Sequence, residues 1–376
     1  MLRIMSVIGT RPEAIKMAPV IRELAKYPTE VQSITCSTGQ HRQMLDQVFD
    51  LFSIRPDYEL NIMQPNQRLA ALTGRLFESL DRVMAEVKPD WVLAQGDTTT
   101  VLVASMVAYY QRIPFGHIEA GLRTGNLNHP FPEEMNRRAA DIIAELCFAP
   151  TELSRQNLLR EGCPEARILV TGNTVIDALH MAAVMPYDWS AGPLAKLPRN
   201  KRLVLVTSHR RENVGQRLRD LCMAIRDLAA HPAAADVQFV LPVHLNPNVR
   251  DQVHAILGPV QNVSLLEPLD YLSLVQLMKR SSLVVTDSGG IQEEAPGLGV
   301  PVLVARETTE RPEGVSAGVV KLVGTSRTRI RDSALAILTD PTIAQSMRSV
   351  GNPYGDGKAA QRIVSRLMRC RQIAAA

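Results

Sequence analysis

Short apolar segments of strand length alternate with longer segments of helical periodicity along almost the whole chain. Ile4 to Ile8 has strand character, the residues after it are predicted to be helical to about Lys26, and Val31 to Cys36 is again strand-like. A second alternating series begins at Leu203. This pattern is typical of parallel α/β layers, because each parallel strand needs a crossover, usually a helix, to reach the next one. The sequence therefore predicts an α/β fold with doubly wound sheets.

The chain is long enough for two domains at ordinary domain sizes. The stretch from Met185 to Arg202 is rich in proline and glycine, and we interpret it as a surface connection near a domain boundary. We predict a Rossmann-like domain over residues 1–170, a second over 171–357, and a C-terminal helix at about 358–376 that packs back on the first. Two such halves facing each other would form a cleft at the carboxyl ends of their strands, where these sheets bind ligands.

Composition narrows the class of protein. Apolar residues make up 45% and charged residues 21%, which is normal for a soluble globular protein. The net charge is +4, with basic residues scattered among acids and only 4% aromatics, so we expect an anionic small substrate and no nucleic acid. Five widely spaced cysteines without a CxxC pair favour a reducing cytoplasm over a disulfide framework or zinc site. No apolar run approaches the length of a membrane span, so we expect no membrane partner.

The best candidate for an anion site is the turn at Ser288, Gly289 and Gly290. It follows an apolar strand, Leu283 to Val285, and precedes a segment that can form a helix. Backbone N–H groups at such a helix start, together with the helix dipole, suit a phosphate. The alternative is an ordinary strand-to-helix turn. Arg311, in the later run TTERPE, is the better candidate there for contact with a ligand.

Charged side chains also follow the strands of the first half. Arg11 and Lys16 come after the first strand and suit a diphosphate, although a solvated first helical turn is the alternative. Asp97 follows a later strand, where it is either an active-site carboxylate or a helix N-cap. Glu119 and Glu133 could meet across a loop. Carboxylates gathered there could remove a proton from one face of a carbon and return it to the other; the alternative is a capping box with surface ion pairs.

Two histidines end strands of the second half. His209 precedes two arginines and is a plausible phosphate contact, whereas His244, in PVHLNPN, is open between a structural and a functional role. The chain has no HExxH motif, no Walker A lysine and no GxGxxG motif, so we expect no metal and no cofactor.

Motifs spread along nearly the whole chain carry a resemblance to a known family. They are GTRPEAIKMAP, TGQHRQML, GDTTT, HIEAGLRTGN, PFPEEMNRR, TGNTVIDAL, HRREN, PVHLNPNVR, TDSGGIQEEAP, TTERPE and NPYGDG. The chain resembles the non-hydrolysing UDP-N-acetylglucosamine 2-epimerases of bacteria. The resemblance implies a glycosyltransferase-B-type fold and usually a homodimer. It also implies interconversion of UDP-GlcNAc and UDP-ManNAc, with UDP and 2-acetamidoglucal as intermediates and without metal or nicotinamide.

The resemblance also implies roles for individual residues. As acid/base candidates it gives Asp97, Glu119 and Glu133, with Lys16 and His209 in the catalytic set. For substrate binding it gives Arg11, Lys16, Arg137, His209, His244, Ser288, Gly289, Gly290, Glu294 (on the ribose) and Arg311. A second, regulatory UDP-GlcNAc site would involve Gln40, His41 and Gln43.

The chain departs from the family pattern at three positions. Gln95 stands where a histidine is expected before Gly-Asp, Leu269 where a polar residue is common, and Leu274 where an aromatic ring often lies near the uracil. These departures concern base binding and nucleotide selectivity more than the reaction. The alternatives are a hydrolysing epimerase, an epimerase of a modified UDP-sugar, a glycosyltransferase on the same fold, and a nucleotide-sugar-binding regulator without activity.

Overall fold

The computed structural model of the chain describes residues 1–39, 42–64, 67–208 and 215–374. The chain divides into two compact units. Unit 1 comprises Met1–Ala178 with Tyr354–Ala376, and unit 2 comprises Leu179–Pro353. The domain limits 1–170 and 171–357 stay a prediction.

Unit 1 is built on a parallel sheet that has seven strands in its described residues. The strands are β1 (Leu2–Ile8), β2 (Val31–Ser37), β3 (Tyr58–Glu59), β4 (Trp91–Gln95), β5 (Phe115–Ile118), β6 (Leu146–Ala149) and β7 (Ile168–Val170). The helices that alternate with them are α1 (Arg11–Leu24), α2 (Arg42–Leu51), α3 (Leu69–Val87), α4 (Thr99–Tyr110), α5 (Glu133–Ile143), α6 (Glu152–Arg160) and α7 (Thr174–Ala183). The chain passes into unit 2 within α7.

Unit 2 repeats this plan with a parallel sheet of six described strands. They are β8 (Arg202–Thr207), β9 (Val237–Pro242), β10 (Val263–Leu266), β11 (Ser281–Thr286), β12 (Val302–Val304) and β13 (Val320–Leu322). Its helices are α8 (Gln216–Ala229), α9 (Pro247–Leu257), α10 (Tyr271–Arg280), α11 (Gly289–Gly297), α12 (Pro312–Ala317), α13 (Arg327–Thr339) and α14 (Pro341–Arg348). The last helix, α15 (Ala359–Ala374), belongs to unit 1. The predicted α/β class with two parallel, Rossmann-like sheets is confirmed.

The central strands of both sheets are apolar because helices cover both of their faces. All five residues of β4 are buried, as are six of the seven in β1. The unit 1 core includes Met5 and Leu76, and the unit 2 core includes Ile225 and Phe239. No helix among the described residues is long and apolar enough to cross a membrane.

Strand order places a switch point in the middle of each sheet. In unit 1 the order is β3-β2-β1-β4-β5-β6-β7, so β1 has β2 on one side and β4 on the other. In unit 2 the order is β10-β9-β8-β11-β12-β13, so β8 has β9 on one side and β11 on the other. Loops diverge from the carboxyl ends of such a strand pair and leave the crevice in which α/β sheets bind ligands. The loops after β1 and β4, and those after β8 and β11, are therefore the places to look for a site.

Helix α15 is fixed to unit 1 through α7. It packs against α1, and the carboxylate of Asp177 accepts the backbone N–H groups of Ala359 (3.2 Å) and Ala360 (2.9 Å) at its start. Arg362 donates to the Thr171 carbonyl (2.8 Å). An acidic side chain at a helix N-terminus satisfies N–H groups that have no partner within the helix. Asp177 thus joins a distant part of the sequence to unit 1.

One predicted boundary is wrong. The sequence after PFPEE predicts a helix to Leu146, but in the structure this helix, α5, ends at Ile143, and Leu146 is the first residue of β6. Ala144 is already extended, and the Glu145 N–H donates to the Phe115 carbonyl (2.8 Å). Pairing with β5 therefore overrides the local tendency to continue the helix.

Candidate active site

The loop after β1 is held by a buried carboxylate. Glu13, 3% exposed, accepts the backbone N–H groups of Gly9 (2.5 Å) and Thr10 (2.9 Å), and it also accepts the hydroxyl of Thr98. Thr98 lies between Asp97 and the first residue of α4. One side chain therefore joins the two loops that diverge from the switch point of unit 1.

The environment of Glu13 makes its protonation sensitive to pH near neutrality. Burial raises the pKa of this carboxyl from 4.5 to about 7, against the lowering effect of the hydrogen bonds from Thr98, Gly9 and Thr10. The charge of Asp97 adds to the rise in pKa. Sequence reasoning did not assign Glu13 to the site. The spacing Thr10-x-x-Glu13 is the signature of a capping box, and it was the available signal.

Lys16 and Glu119 form an ion pair in the same unit. Their side chains are 14% and 8% exposed, and the amide of Asn173 also donates to Glu119 Oε2 (3.1 Å). Glu119 has a φ of +68°, in the left-handed region of the backbone that residues other than glycine rarely adopt. This backbone turns the carboxylate from the end of β5 toward α1 and the start of α7. The structure thus brings together two residues predicted for the site.

Asp97 is paired with Arg137. An Nη2 atom of Arg137 makes an ion pair with Asp97 Oδ2, while Nη1 donates to Glu134 (3.2 Å). The amide of Asn136 donates to the Asp97 carbonyl (2.9 Å). Arg137 is 6% exposed, and its buried Nε has no hydrogen-bond partner among the described residues. Arg137 was predicted to bind substrate directly; its described contacts are with the candidate catalytic carboxylate and Glu134.

Glu133 and Glu134 are placed differently. Glu133 begins α5 and is partly exposed, and its side chain makes no hydrogen bond or ion pair among the described residues, with Glu119 or otherwise. Glu134 is fully buried and accepts the N–H groups of Thr124 (3.1 Å) and Gly125 (3.1 Å). Successive residues of a helix point about 100° apart, and the rotation of α5 places Glu134 inward and leaves Glu133 partly exposed. Glu134, which sequence reasoning did not assign, is the one that anchors the loop.

The turn after β11 in unit 2 is ordered by hydroxyl groups. The Thr286 and Thr207 hydroxyls lie 2.6 Å apart across the switch point, and Thr286 Oγ1 accepts the Ser288 N–H (2.9 Å). Ser288, Gly289 and Gly290 are partly exposed at the start of α11. Because α11 begins here, its first N–H groups and its dipole make the turn suitable for an anion.

The acidic residues of α11 are bound from other segments of unit 2. Glu294 is buried and accepts the Tyr271 hydroxyl (2.8 Å). Arg311 Nε donates to Glu293 (2.6 Å), and the neighbouring Glu310 pairs with Arg306 (2.7 Å). Arg311 is therefore held against α11 at Glu293, three residues after Gly290 at the turn it was predicted to serve.

The remaining predicted residues make few described contacts or lie outside the described residues. Arg11 is partly exposed at the first position of α1. His244 is exposed, and its Nδ1 accepts the Asn246 N–H (3.0 Å). Gln40, His41 and His209 lie outside the described residues, as does the side chain of Gln43. Among the three departures, Gln95 and Leu269 are buried and Leu274 is partly buried. The described part of the chain contains no group of three His, Cys, Asp or Glu side chains that could hold a metal ion.

Comparison with known proteins decides the family. The model of the family described as UDP-N-acetylglucosamine 2-epimerase matches residues 22–368. The chain belongs to the UDP-N-acetylglucosamine 2-epimerase family. A curated UDP-N-acetylglucosamine 2-epimerase from Salmonella typhimurium (strain LT2) is 54% identical over 372 residues, which cover 97% of this chain and 98% of that protein. The family named from the resemblance is thereby confirmed.

Solved structures agree with the fold of this family member. The crystal structure of UDP-GlcNAc 2-epimerase from Neisseria meningitidis bound to UDP-GlcNAc has a TM-score of 0.88 and 48% identity, and the match covers 98% of this chain and 100% of that one. A structure of the glycotransferase of kitacinnamycin matches with a TM-score of 0.66 at 15% identity over 98% of each chain. The second likeness concerns the fold alone, and it agrees with the glycosyltransferase-B type.

We predict that only glycine fits at position 9 without loss of stability, because a larger side chain would clash. A Cβ atom at this position would collide with the Thr100 hydroxyl and lie 2.9 Å from Thr100 Cβ, and Thr100 is fully buried. Gly9→Ala should lower the free energy of unfolding by about 1–3 kcal/mol, as overpacking does. At Gly74, within α3, a Cβ atom would meet nothing within 4 Å, so Gly74→Ala should raise the free energy of unfolding by about 0.5–1 kcal/mol. Urea unfolding of both variants checks this; equal effects would contradict the steric account.

The raised pKa of Glu13 predicts a pH-dependent effect of Glu13→Gln. A carboxyl whose pKa rises on folding contributes stability that is complete below its unfolded pKa of 4.5 and is lost as the pH rises through about 7. Glutamine is neutral throughout. As the pH rises from about 4.5 to 8, the free energy of unfolding of the variant should therefore rise by up to about 3 kcal/mol relative to that of the wild type. A loss of stability from poorer hydrogen bonding, which does not depend on pH, is added to this change.

Urea unfolding at several pH values measures this difference. Gly74→Ala serves as the control, because no titrating group is changed, and it should keep a constant difference from the wild type. A constant difference for Glu13→Gln as well would show that Glu13 is ionised in the folded protein across the whole range.

Proposed function

We propose that this chain interconverts UDP-GlcNAc and UDP-ManNAc by epimerisation at C2 without hydrolysis. The observation that carries the proposal is the pairing of two carboxylates with cations at one edge of the unit 1 sheet: Asp97 with Arg137, and Glu119 with Lys16. Membership of the epimerase family supports the choice of substrate. Such an edge can handle protons on a carbon next to a departing anion, which is the chemistry that epimerisation at C2 requires.

The proposed reaction begins with an anti elimination. A base takes the proton from C2, the C1–O bond to UDP breaks, and a double bond forms between C1 and C2, giving 2-acetamidoglucal and UDP. UDP then adds back to C1 while a proton is delivered to the opposite face of C2. We assign the proton transfers to Asp97, Glu119 and Glu133, with Lys16 and His209 in the catalytic set.

The cations beside Asp97 and Glu119 suit this role. Arg137 is planar and permanently charged, so its contact with Asp97 fixes the direction of that carboxylate. Lys16 is a flexible point charge that can shift between Glu119 and a phosphate oxygen. Glu119 is also held by the Asn173 amide (3.1 Å), so it keeps a hydrogen bond when Lys16 moves. Glu133, which is partly exposed, is the candidate whose proton exchanges most readily with solvent.

Substrate binding is proposed within each unit. In unit 1 we assign Arg11 and Lys16 to the diphosphate, and Arg137 contributes to the site through Asp97. In unit 2 we assign the Ser288–Gly289–Gly290 turn to the nucleotide, together with Arg311, His209 and His244. Negative charge grows on UDP as the C1–O bond breaks, so N–H donors held at the start of α11 would stabilise the transition state more than the ground state.

Glu294 is proposed to bind the ribose. A carboxylate can accept both ribose hydroxyls, and the Tyr271 hydroxyl already donates to Glu294 Oε1 (2.8 Å). The other oxygen, Oε2, lies 3.6 Å from the position that a Cβ atom would take at Gly290. The acceptor and the anion-binding turn thus lie on the same helix, as one nucleotide would require.

Further parts of the proposal extend from the resemblance. The product would supply ManNAc-type precursors for surface polysaccharide, and the enzyme would act in the cytoplasm as a homodimer. UDP-GlcNAc would activate it at a second site involving Gln40, His41 and Gln43. A progress curve for UDP-ManNAc that needs no added UDP-GlcNAc would count against this activation.

Proton NMR of the purified protein with UDP-GlcNAc in deuterated water, without metal or nicotinamide, tests the reaction. We expect a new UDP-ManNAc anomeric signal and deuterium at C2. Free ManNAc and UDP would contradict the non-hydrolysing assignment and favour the hydrolysing branch. An unchanged spectrum would contradict the substrate assignment and favour a modified UDP-sugar or a binding role.

Amide variants extend the same experiment to single residues. Asp97→Asn, Glu119→Gln and Glu133→Gln should each slow deuterium incorporation at C2 by about 10²-fold or more while UDP binding persists, as expected on loss of an acid/base group. Glu78→Gln, on an exposed position of α3, is the matched control and should exchange like the wild type. A carboxylate whose amide variant exchanges normally has no role in proton transfer.

A further inference from the structure

His117 is a buried histidine that the proposed chemistry does not use. It lies in β5 and is 0% exposed, and both of its ring nitrogens have close partners. Nδ1 lies 2.6 Å from Asp141 Oδ1, and Nε2 lies 2.7 Å from the carbonyl oxygen of Gly96. Gly96 is the residue directly before Asp97, so the ring contacts the turn that carries a proposed catalytic carboxylate.

The partners of His117 fix its protonation. A backbone carbonyl can only accept a hydrogen bond, so Nε2 carries a proton and donates it to Gly96. The other oxygen of Asp141 accepts from Arg123 Nη2 (2.7 Å) and from the Gly121 N–H (3.1 Å), which suits a carboxylate anion. Nδ1 then donates to that anion. The ring is therefore a doubly protonated imidazolium in a buried ion pair.

The pKa values of the pair move in the directions that this assignment requires. Burial alone would lower the pKa of the His117 imidazole, but the charge of Asp141 and the hydrogen bonds to Asp141 and Gly96 outweigh it, and that pKa is raised. Burial would raise the pKa of the Asp141 carboxyl, but His117 and then Arg123 outweigh it, and that pKa is lowered. Arg123 lies 2.7 Å from both Asp141 and Glu161; its charge supports the Asp141 carboxylate and opposes the charge of His117, but the contacts of His117 with Asp141 and Gly96 outweigh that opposition.

The Gly96 turn is held to β5 on both sides. Its N–H donates to the Ile118 carbonyl (3.0 Å), and its own carbonyl accepts from His117. Gly96 has a φ of +88°, so the chain reverses direction here as it leaves β4. With the N–H and the carbonyl both fixed, the position of Asp97 against Arg137 is fixed as well. Asn136 then holds the Asp97 carbonyl (2.9 Å) from α5.

We propose that His117 is a positioning residue for the epimerisation, which acts as an imidazolium on the Gly96 carbonyl and so sets the direction of the Asp97 carboxylate. The inference rests on the function proposed above. A buried ion pair is often no more stable than apolar side chains of the same volume, so stability alone does not account for this one. A shift of about 1 Å in a catalytic group can lower the rate by about 10²-fold, so a turn that holds Asp97 in place would preserve the rate.

Two conservative variants separate positioning from general stability. The amide nitrogen of glutamine reaches about as far as Nε2, so His117→Gln keeps a donor to Gly96. The amide of asparagine reaches about as far as Nδ1, so His117→Asn keeps the bond to Asp141 and loses the bond to Gly96. Both variants remove the same charge and ring, and they differ in which partner is retained.

We expect the two variants to differ in kcat for C2 exchange. His117→Asn should lose about 10²-fold in kcat with KM for UDP-GlcNAc changed by less than about threefold, whereas His117→Gln should stay within about tenfold of the wild type. A purely structural role would lower Tm and the active fraction in both variants alike. Equal kcat values for the two variants, measured at temperatures where both are folded, would overturn the proposal.

Nitrogen-15 NMR of the wild type, with labelled histidine, tests the protonation without turnover. The His117 signals, assigned by their loss in His117→Gln, should show both ring nitrogens protonated at neutral pH. A neutral ring would overturn the proposal whatever the kcat values of the two variants. Absence of C2 exchange in the wild type would instead count against the epimerase function, so the two failures are distinguishable.

Discussion

Opposite charges paired at the carboxyl edge of the unit 1 sheet are the interaction on which the candidate site depends. The switch point between β1 and β4 brings the loops after β1, β4 and β5 together, and each loop carries a carboxylate or a cation. An isolated charge taken out of water costs several kcal/mol, whereas a charge with a well-placed partner is tolerated. The pairs Lys16–Glu119, Arg137–Asp97 and His117–Asp141 meet this requirement. The same fold that gathers the reactive groups thus forces them into pairs.

The number of partners also distinguishes the proposed acid/base groups from the buried groups around them. The Asp97 side chain is 27% exposed beside Arg137, so a substrate could take over part of that interaction, whereas the Glu119 side chain beside Lys16 is 8% exposed. Asp141 and Glu134 are buried with several donors each and have no such freedom. Glu13 is intermediate, since burial brings the pKa of its carboxyl to about 7 while three donors still hold it in place. Burial and the number of donors, more than residue type, distinguish these roles.

The sequence was sufficient to predict the fold class and the loops in which we propose the site. Strand-like apolar runs predicted β1 and β2 within two residues, because mostly buried parallel strands leave a clear apolar signal. The end of α5 was misplaced, because pairing of β6 with β5 is a tertiary effect that local pattern does not contain. The motifs of the family resemblance follow the strand ends, so they lie in the loops of the candidate site.

Contacts inside those loops could not be predicted from the sequence. Glu133 and Glu134 are adjacent and chemically identical, and the rotation of α5 decides which one is buried. Arg137 was expected to face substrate, and its pairing with Asp97 depends on how α5 lies against the turn after β4. His117 and Glu13 were visible in the motifs, but their roles follow from burial and from partners far away in the chain, Asp141 and Thr98.

Positional isotope exchange tests the central claim most directly, because it reports cleavage of the C1–O bond to UDP. UDP-GlcNAc carrying oxygen-18 in the bridge between C1 and the β-phosphorus would be incubated with the protein and then recovered. Our account predicts that the label spreads to the non-bridging β-phosphate oxygens, since released UDP can rotate before it adds back. Deuterium exchange at C2 with the label still in the bridge would contradict elimination and would require epimerisation with the C1–O bond intact.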